Sequence, residues 1–241
     1  MVAHPDSLNT LKLSDHTPSV QELRSSLHRM QREFRPGPQA GPRSPSKDIV
    51  STGIAALDRI LPARGLMKGT LSEWIATEPG SGAVSLAMRV ASRVQRGGTL
   101  ILVDQPRQFY APAIQSLGVC LAETILVRPA TQGDELWVLE QSLRCPGVSV
   151  VLCQLDRLTT QQFRRLQLAA GSGTAIGMLI RPAVAQRQSS WADVRLQVSP
   201  RPSSPRSFRR CLNVRCVYAK GSLADQTVDL EFCDETGRAH E

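Results

Sequence analysis

Five apolar runs of strand length recur along the chain, at 71–76, 99–104 (TLILVD), 124–128 (TILVR), 148–153 (VSVVLC) and 174–180 (TAIGMLI). Each is too short for a buried helix and lacks polar alternation, as expected of a strand covered on both faces. The segments between them, 83–96, 109–117, 133–144 and 159–170, have helical length and spacing. Strand and helix in strict turn predict a parallel sheet with crossover helices. After Arg181-Pro182 the pattern changes, and ADVRLQVS, CLNVRCVYA and QTVDLEF alternate apolar with polar residues. That alternation predicts antiparallel strands appended to the sheet. The expected fold is α/β: a mostly parallel central sheet flanked by helices, with antiparallel C-terminal strands. It occupies 48–233, with a short tail at 234–241.

Residues 1–47 form a separate arm. Its first 17 residues are polar and mixed, as a frayed end would be. Val20, Leu23, Leu27, Met30 and Phe34 then fall on one helical stripe, opened by Ser19 and Glu22 in a capping box. The segment 35–47 (RPGPQAGPRSPSK) carries four prolines and two glycines and reads as a linker. Two destinations suit the stripe equally: the chain's own core, or a partner subunit.

The 241 residues carry 29 Lys and Arg against 21 Asp and Glu, a formal charge of +8. Such a surplus favours an acidic partner such as DNA or RNA, although surface arginine alone also accounts for it. Aromatics are only 4%, so stacking platforms must be sparse. The six cysteines include no CxxC pair; Cys120 and Cys153 read as small buried hydrophobes, and Cys211 and Cys216 are poorly spaced for zinc. No metal site is expected. Neither a secretory leader nor a run of membrane-spanning length is apparent, so the expected location is the cytoplasm, without membrane contact.

Between the first strand and first crossover helix lies TEPGSGAVSL, 77–86. This is the setting of a phosphate loop, G-x-x-x-x-G-K-[ST], in which backbone N–H groups, a lysine and a metal-binding hydroxyl hold a nucleotide. With Gly82 at the second glycine, Thr77 stands at the first, Ala83 at the lysine and Val84 at the Ser/Thr, while Gly80 keeps the turn open. A bare helix N-terminus still attracts an anion, but about 0.3–1 kcal/mol from its dipole does not replace a lysine and a metal. The strand VSVVLC leads to Gln154 where an acid should support the metal, with Asp156 two places on. Asp104-Gln105-Pro106 stands where a base for the attacking water is sought, and proline cannot act as one. Hydrolysis is not expected, no cofactor is expected, and weak ATP binding stays open.

The order of parts resembles the RecA-type recombinases. STGIAALDRILPARGLMKGTLSEWIATEPGSG (51–82) is similar to their entry segment, and TLILVDQPRQFYAPAIQSLGV (99–119) to the next strand and helix. RRLQLAAGSGTAIGMLIRP (164–182) and the tail through Lys220-Gly221 resemble one branch more closely, the ImuA family of bacterial mutagenesis cassettes. That resemblance, over roughly 19–233, implies a non-hydrolysing accessory role in error-prone translesion synthesis after DNA damage. The implied partners are an ImuB-type polymerase-like protein, an error-prone replicative-type polymerase subunit, and RecA itself. Two alternatives accompany it: a divergent DNA-dependent ATPase, and a cell-division inhibitor of the SulA type.

RecA-like folds contact single-stranded DNA through loops at one end of the sheet. The candidates here are Arg181, Arg187 and the cluster Arg201, Arg206, Arg209 and Arg210, with Gln186 and Gln188 adding hydrogen bonds and Trp191 stacking a base. The same residues also suit a solvated basic loop with Trp191 packed on the core. Of Arg164 and Arg165, one is expected to be plain surface.

Overall fold

A computed structural model describes residues 20–33, 49–202, 209–221, 225–233 and 239–240. Ser19, Phe34, Arg206, the 35–47 linker and residues 1–17 lie outside the described residues. In chain order the elements are α1 (Val20–Glu33), β1 (Ile49–Val50), α2 (Ala55–Ile60), β2 (Leu66–Met67), β3 (Leu71–Ala76) and α3 (Ala83–Val94). Then come β4 (Thr99–Val103), α4 (Ala111–Ser116), β5 (Thr124–Val127), α5 (Gln132–Arg144), β6 (Val148–Gln154), α6 (Thr160–Ser172) and β7 (Ile176–Pro182). β8 (Val194–Arg201), β9 (Arg209–Ala219), β10 (Gln226–Cys233) and β11 (Ala239–His240) complete the chain.

One sheet holds nine of these strands in the order β11-β10-β9-β8-β3-β7-β6-β4-β5. β1 and β2 pair separately. From β5 to β8 every neighbour is parallel, and from β8 to β11 every neighbour is antiparallel. β8 joins the two parts: it pairs antiparallel with β9, as its alternating sequence predicts, and parallel with β3. Alternation reports that one face is uncovered and says nothing of direction. On β8, Gln197 and Ser199 stay half-buried while Leu196 and Val198 are fully buried.

The strict period of two divides the core. Leu100 and Leu102 of β4 join Trp74, Leu86, Val90, Met178 and Val214 on the face covered by α2 and α3. Ile101 and Val103 face the other way, onto Val138, Leu139, Phe163 and Leu166 of α5 and α6. Both faces of the parallel strands are buried, which is why those strands read as unbroken apolar runs. The one indole in this sheet centre is satisfied: Trp74 Nε1 donates to Ser72 Oγ at 3.0 Å, and that hydroxyl donates to the Gly177 carbonyl at 3.1 Å.

Helix boundaries follow local chemistry. Thr159 caps α6 in a reciprocal box with Gln162, and Thr131 accepts from the Asp134 N–H at the start of α5. The STG…LD signature has a structural cause. The Asp58 carboxylate accepts from Ser51 Oγ (2.5 Å), Thr52 N (2.9 Å) and Thr52 Oγ1 (2.7 Å), tying the entering chain to α2.

α1 lies on its own chain. Leu23 and Leu27 are buried in the α5–α6 cluster, and Arg24 stacks over the Trp137 ring at 4.5 Å. Of the two destinations open to the stripe, these residues occupy the first, so Leu23 and Leu27 are not a free partner surface here. Val20 and Met30 lie on the same helix. Among the cysteines, Cys153 is buried as expected, but Cys120 is exposed. The turn before β5 points its side chain outward while Gln95 ties down its backbone N–H and carbonyl. Cys211 and Cys216 stand an odd number of residues apart on β9 and so face opposite sides.

Candidate functional site: the loop cavity between β3 and α3

The chain leaves β3 at Ala76 and is pinned at once. Thr77 donates both its N–H and its hydroxyl to the Val198 carbonyl of β8, each at 3.1 Å. The turn closes with the Ser81 N–H on the Glu78 carbonyl (3.2 Å), and α3 starts with the Leu86 N–H on the Gly82 carbonyl (2.9 Å). Gly80 and Gly82 carry φ of 79° and 86°, the left-handed region that favours glycine. A Cβ on Gly82 would also stand 2.7 Å from a terminal methyl of Leu212 on β9, so a larger residue requires that side chain to shift. Strands from the antiparallel part thus hold the loop that the parallel part presents.

Thr77, Gly80, Gly82, Ala83 and Val84 all line one cavity of about 600 Å³. Gln154, Asp156, Gln108, Arg181 and Arg210 join them from other elements. Ala83, 1% exposed, and Val84 belong to the packing at the helix start. Neither offers a charge or a metal-binding oxygen. Ser81 is 2% exposed and its Oγ has no hydrogen-bond partner among the described residues. Gln154 and Asp156 reach both this cavity and an adjoining one of about 310 Å³, lined also by Glu135. Burial pushes the Glu135 carboxyl up from its ordinary range; the Cys153 thiol, 3.5 Å away, opposes this and Asp156 adds to it. Asp104 is buried and structural. Its carboxylate accepts from the backbone of Gln108 (2.7 Å) and Phe109 (3.2 Å) and pairs with Arg128 at 3.4 Å.

Beside the cavity a buried ion triad crosses three strands. Glu73 of β3, 1% exposed, accepts from Arg181 of β7 at 3.1 Å and from Arg195 of β8 at 2.6 Å. Arg181 also donates to Gln188 at 2.8 Å, and Arg195 to the Ala185 carbonyl at 2.7 Å. Burial pulls the Arg181 guanidinium below its usual value, with Glu73 opposing the shift. Arg181 is therefore corrected from a DNA candidate to a structural residue: at 2% exposure its charge faces a carboxylate, not a phosphate backbone. Sequence reasoning missed Glu73 and Arg195. The available signal was an acid inside the apolar strand LSEWIA, which a buried position tolerates only with a partner.

The other basic candidates divide. Arg187 is exposed at the end of the turn after β7. Arg201 is exposed and paired with Asp229 of β10. It stands opposite Cys211, one residue from Arg210, which is exposed at the cavity mouth. Arg209 lies on the same strand. Trp191 is 41% exposed and carries Arg164 over its ring at 4.5 Å. It precedes the start of β8, whereas Arg201 ends it, a separation of about 23 Å at a strand's rise of about 3.3 Å per residue. Trp191 therefore does not share a surface with Arg201 and Arg210. Arg165 pairs with Glu140 at 2.8 Å and Arg164 stacks on Trp191, yet both arginines are exposed, so each lies at the surface.

Among the described residues no cluster of His, Cys, Asp or Glu is placed to hold a metal, and no helix is long and apolar enough to cross a membrane. No protein-family model matches the chain. Curated proteins do. The chain is 27% identical to the RecA protein of Delftia acidovorans over 150 residues, 60% of this chain and 41% of that protein. For the RecA proteins of Legionella pneumophila and Rhodopirellula baltica the figures are 31% over 135 residues and 24% over 159, covering 54% and 63% of this chain. The chain is thus similar to part of the RecA proteins. It spans about two fifths of the length of these relatives, from 38% to 42% for the latter two. The likeness and the observed sheet agree on a RecA-like fold, and the loop at 77–85 lies in the strand-to-helix turn between β3 and α3.

Proposed function

We propose that this chain is an accessory protein of DNA damage tolerance, akin to the ImuA proteins, that supports error-prone translesion synthesis by binding rather than by hydrolysing ATP. One observation carries the reading: buried Ala83 and half-buried Val84 open α3 with apolar side chains, at the two positions where a nucleotide site needs an ammonium and a metal-binding hydroxyl. The donor set does not fit a magnesium-bound triphosphate. Glu78 and Asp156 also line the cavity, which further disfavours a ligand of several negative charges. No catalytic step is therefore derived through a nucleotide.

The partners proposed are an ImuB-type polymerase-like protein, an error-prone replicative-type polymerase subunit, and RecA, all met in the cytoplasm. Direct contact with single-stranded DNA would use Arg201, Arg210 and Arg187, which are exposed, and affinity would then fall steeply with salt. Affinity capture of the full chain from damaged cells tests the role. Recovery of an ImuB-type or RecA protein is expected, together with reduced damage-induced mutagenesis when the gene is deleted. Absence of both would overturn it. A second reading, a divergent DNA-dependent ATPase, is favoured by Ser85, Gln154 and Asp156, oxygen-bearing residues that line the same cavity.

A further inference from the structure

The loop cavity keeps the outline of a phosphate site while its walls have a different chemistry. Ala83, Val84, Ile180 and Val184 make them largely apolar, and at about 600 Å³ the space suits a small molecule, whose pockets run to roughly 300–1,000 Å³. Against this apolar ground stand a few convergent donors. The Ser81 hydroxyl is 2% exposed and unpartnered, a costly state for a buried oxygen unless a ligand satisfies it. The first-turn N–H groups of α3, on Ala83, Val84 and Ser85, have no acceptor within the helix. Nε of the buried Arg181 has no partner among the described residues, and exposed Arg210 stands at the mouth. Two acids, Glu78 and Asp156, complete the charged lining and set a limit on the negative charge admitted.

We infer that this cavity binds a monoanion on an apolar body, a small aliphatic or aromatic carboxylate, in place of a magnesium nucleotide. One carboxylate oxygen meets the α3 N–H groups and the Ser81 hydroxyl, where the helix dipole favours a single negative charge. The apolar body lies along Val84, Ile180 and Val184. Arg210 at the mouth attracts the anion and offers it a charge-assisted bond. This shares with the proposed function only the view that the loop does not hold a magnesium nucleotide, and the arms below separate the two.

The test is titration of the full chain with octanoate, with octylamine, and with ATP plus magnesium. It is read by calorimetry and by the amide resonances of residues 80–85. Octanoate is expected to bind and to shift those resonances, and octylamine is not. Ser81→Ala and Arg210→Gln should each weaken octanoate about tenfold, the size of a lost charge-assisted hydrogen bond. Val184→Asp should weaken it at least as much; Val184 is 58% exposed, so folding tolerates the change. Failure of octanoate to shift 80–85, equal binding of octylamine, or indifference to all three variants overturns this inference alone. Binding of magnesium ATP more tightly than octanoate overturns this inference, and release of phosphate from it would overturn the non-hydrolysing role as well.

Discussion

The ion pairs at the centre of the sheet and those on its antiparallel margin use the same residue types under opposite conditions. At the centre, Glu73 holds Arg181 and Arg195 where all three side chains are 13% exposed or less. At the margin, Arg201 pairs with Asp229 and Arg215 with Asp225, with every side chain about half exposed or more. Water screens the second set, and long side chains lose entropy to hold such a pair, so it contributes little to folding. The first set has exchanged hydration for fixed partners, and its loss leaves charge stranded in the core. An arginine's charge is thus no guide to its use: the buried ones fasten β3, β7 and β8 together beside the loop cavity, while the exposed ones hold only screened surface pairs.

The strongest way to break this comparison is at Glu73. Glu73→Ala leaves two arginines without their counter-ion and should cost about 3–5 kcal/mol in chemical denaturation; a loss below that seen at the margin would erase the distinction. The loop stands next. Gly82→Ala demands a left-handed alanine, about 1–2 kcal/mol in itself, and drives a methyl against Leu212, so its denaturation midpoint should fall clearly below that of Gly80→Ala, whose Cβ meets open space. A smaller effect is expected at Glu135. Its raised pKa means the folded state holds the proton more tightly than the unfolded one. Its contribution is fully present below the ordinary carboxylate range and is lost as pH rises through the raised value. Glu135→Gln should therefore flatten the pH–stability profile on the mildly acidic side and be relatively more stable at neutral pH. The smallest change belongs to the margin: Arg201→Ala should alter stability by no more than about 0.5 kcal/mol. If DNA contact is direct, the same variant should weaken single-stranded DNA binding and reduce its salt dependence by about one charge.

Much of this architecture is legible in sequence because burial on two faces writes itself as continuous apolar runs, and β3, β4, β5, β6 and β7 fall close to where those runs stand. The antiparallel pairing of β8 with β9 is legible in its alternation, but its parallel pairing with β3 is not, since alternation reports an uncovered face and not a neighbour's orientation. α2 and the β1–β2 pair are too short to show a period. At the site, Gly82 is readable because a left-handed turn beside a helix requires it, but its second constraint, contact with Leu212, comes from a strand 130 residues later. Arg181 is misread for the complementary reason: position after a strand marks it as loop-like, and only the tertiary partner Glu73 explains its burial. Arg210 at the cavity mouth likewise depends on β9 folding back beside β8.

The role proposed for the 77–85 loop is binding and not hydrolysis. Phosphate release from ATP and magnesium, followed with and without single-stranded DNA beside a Gly82→Asp variant, tests it most directly. The account predicts release at the no-protein background in every case. Release that single-stranded DNA stimulates and Gly82→Asp abolishes would contradict it.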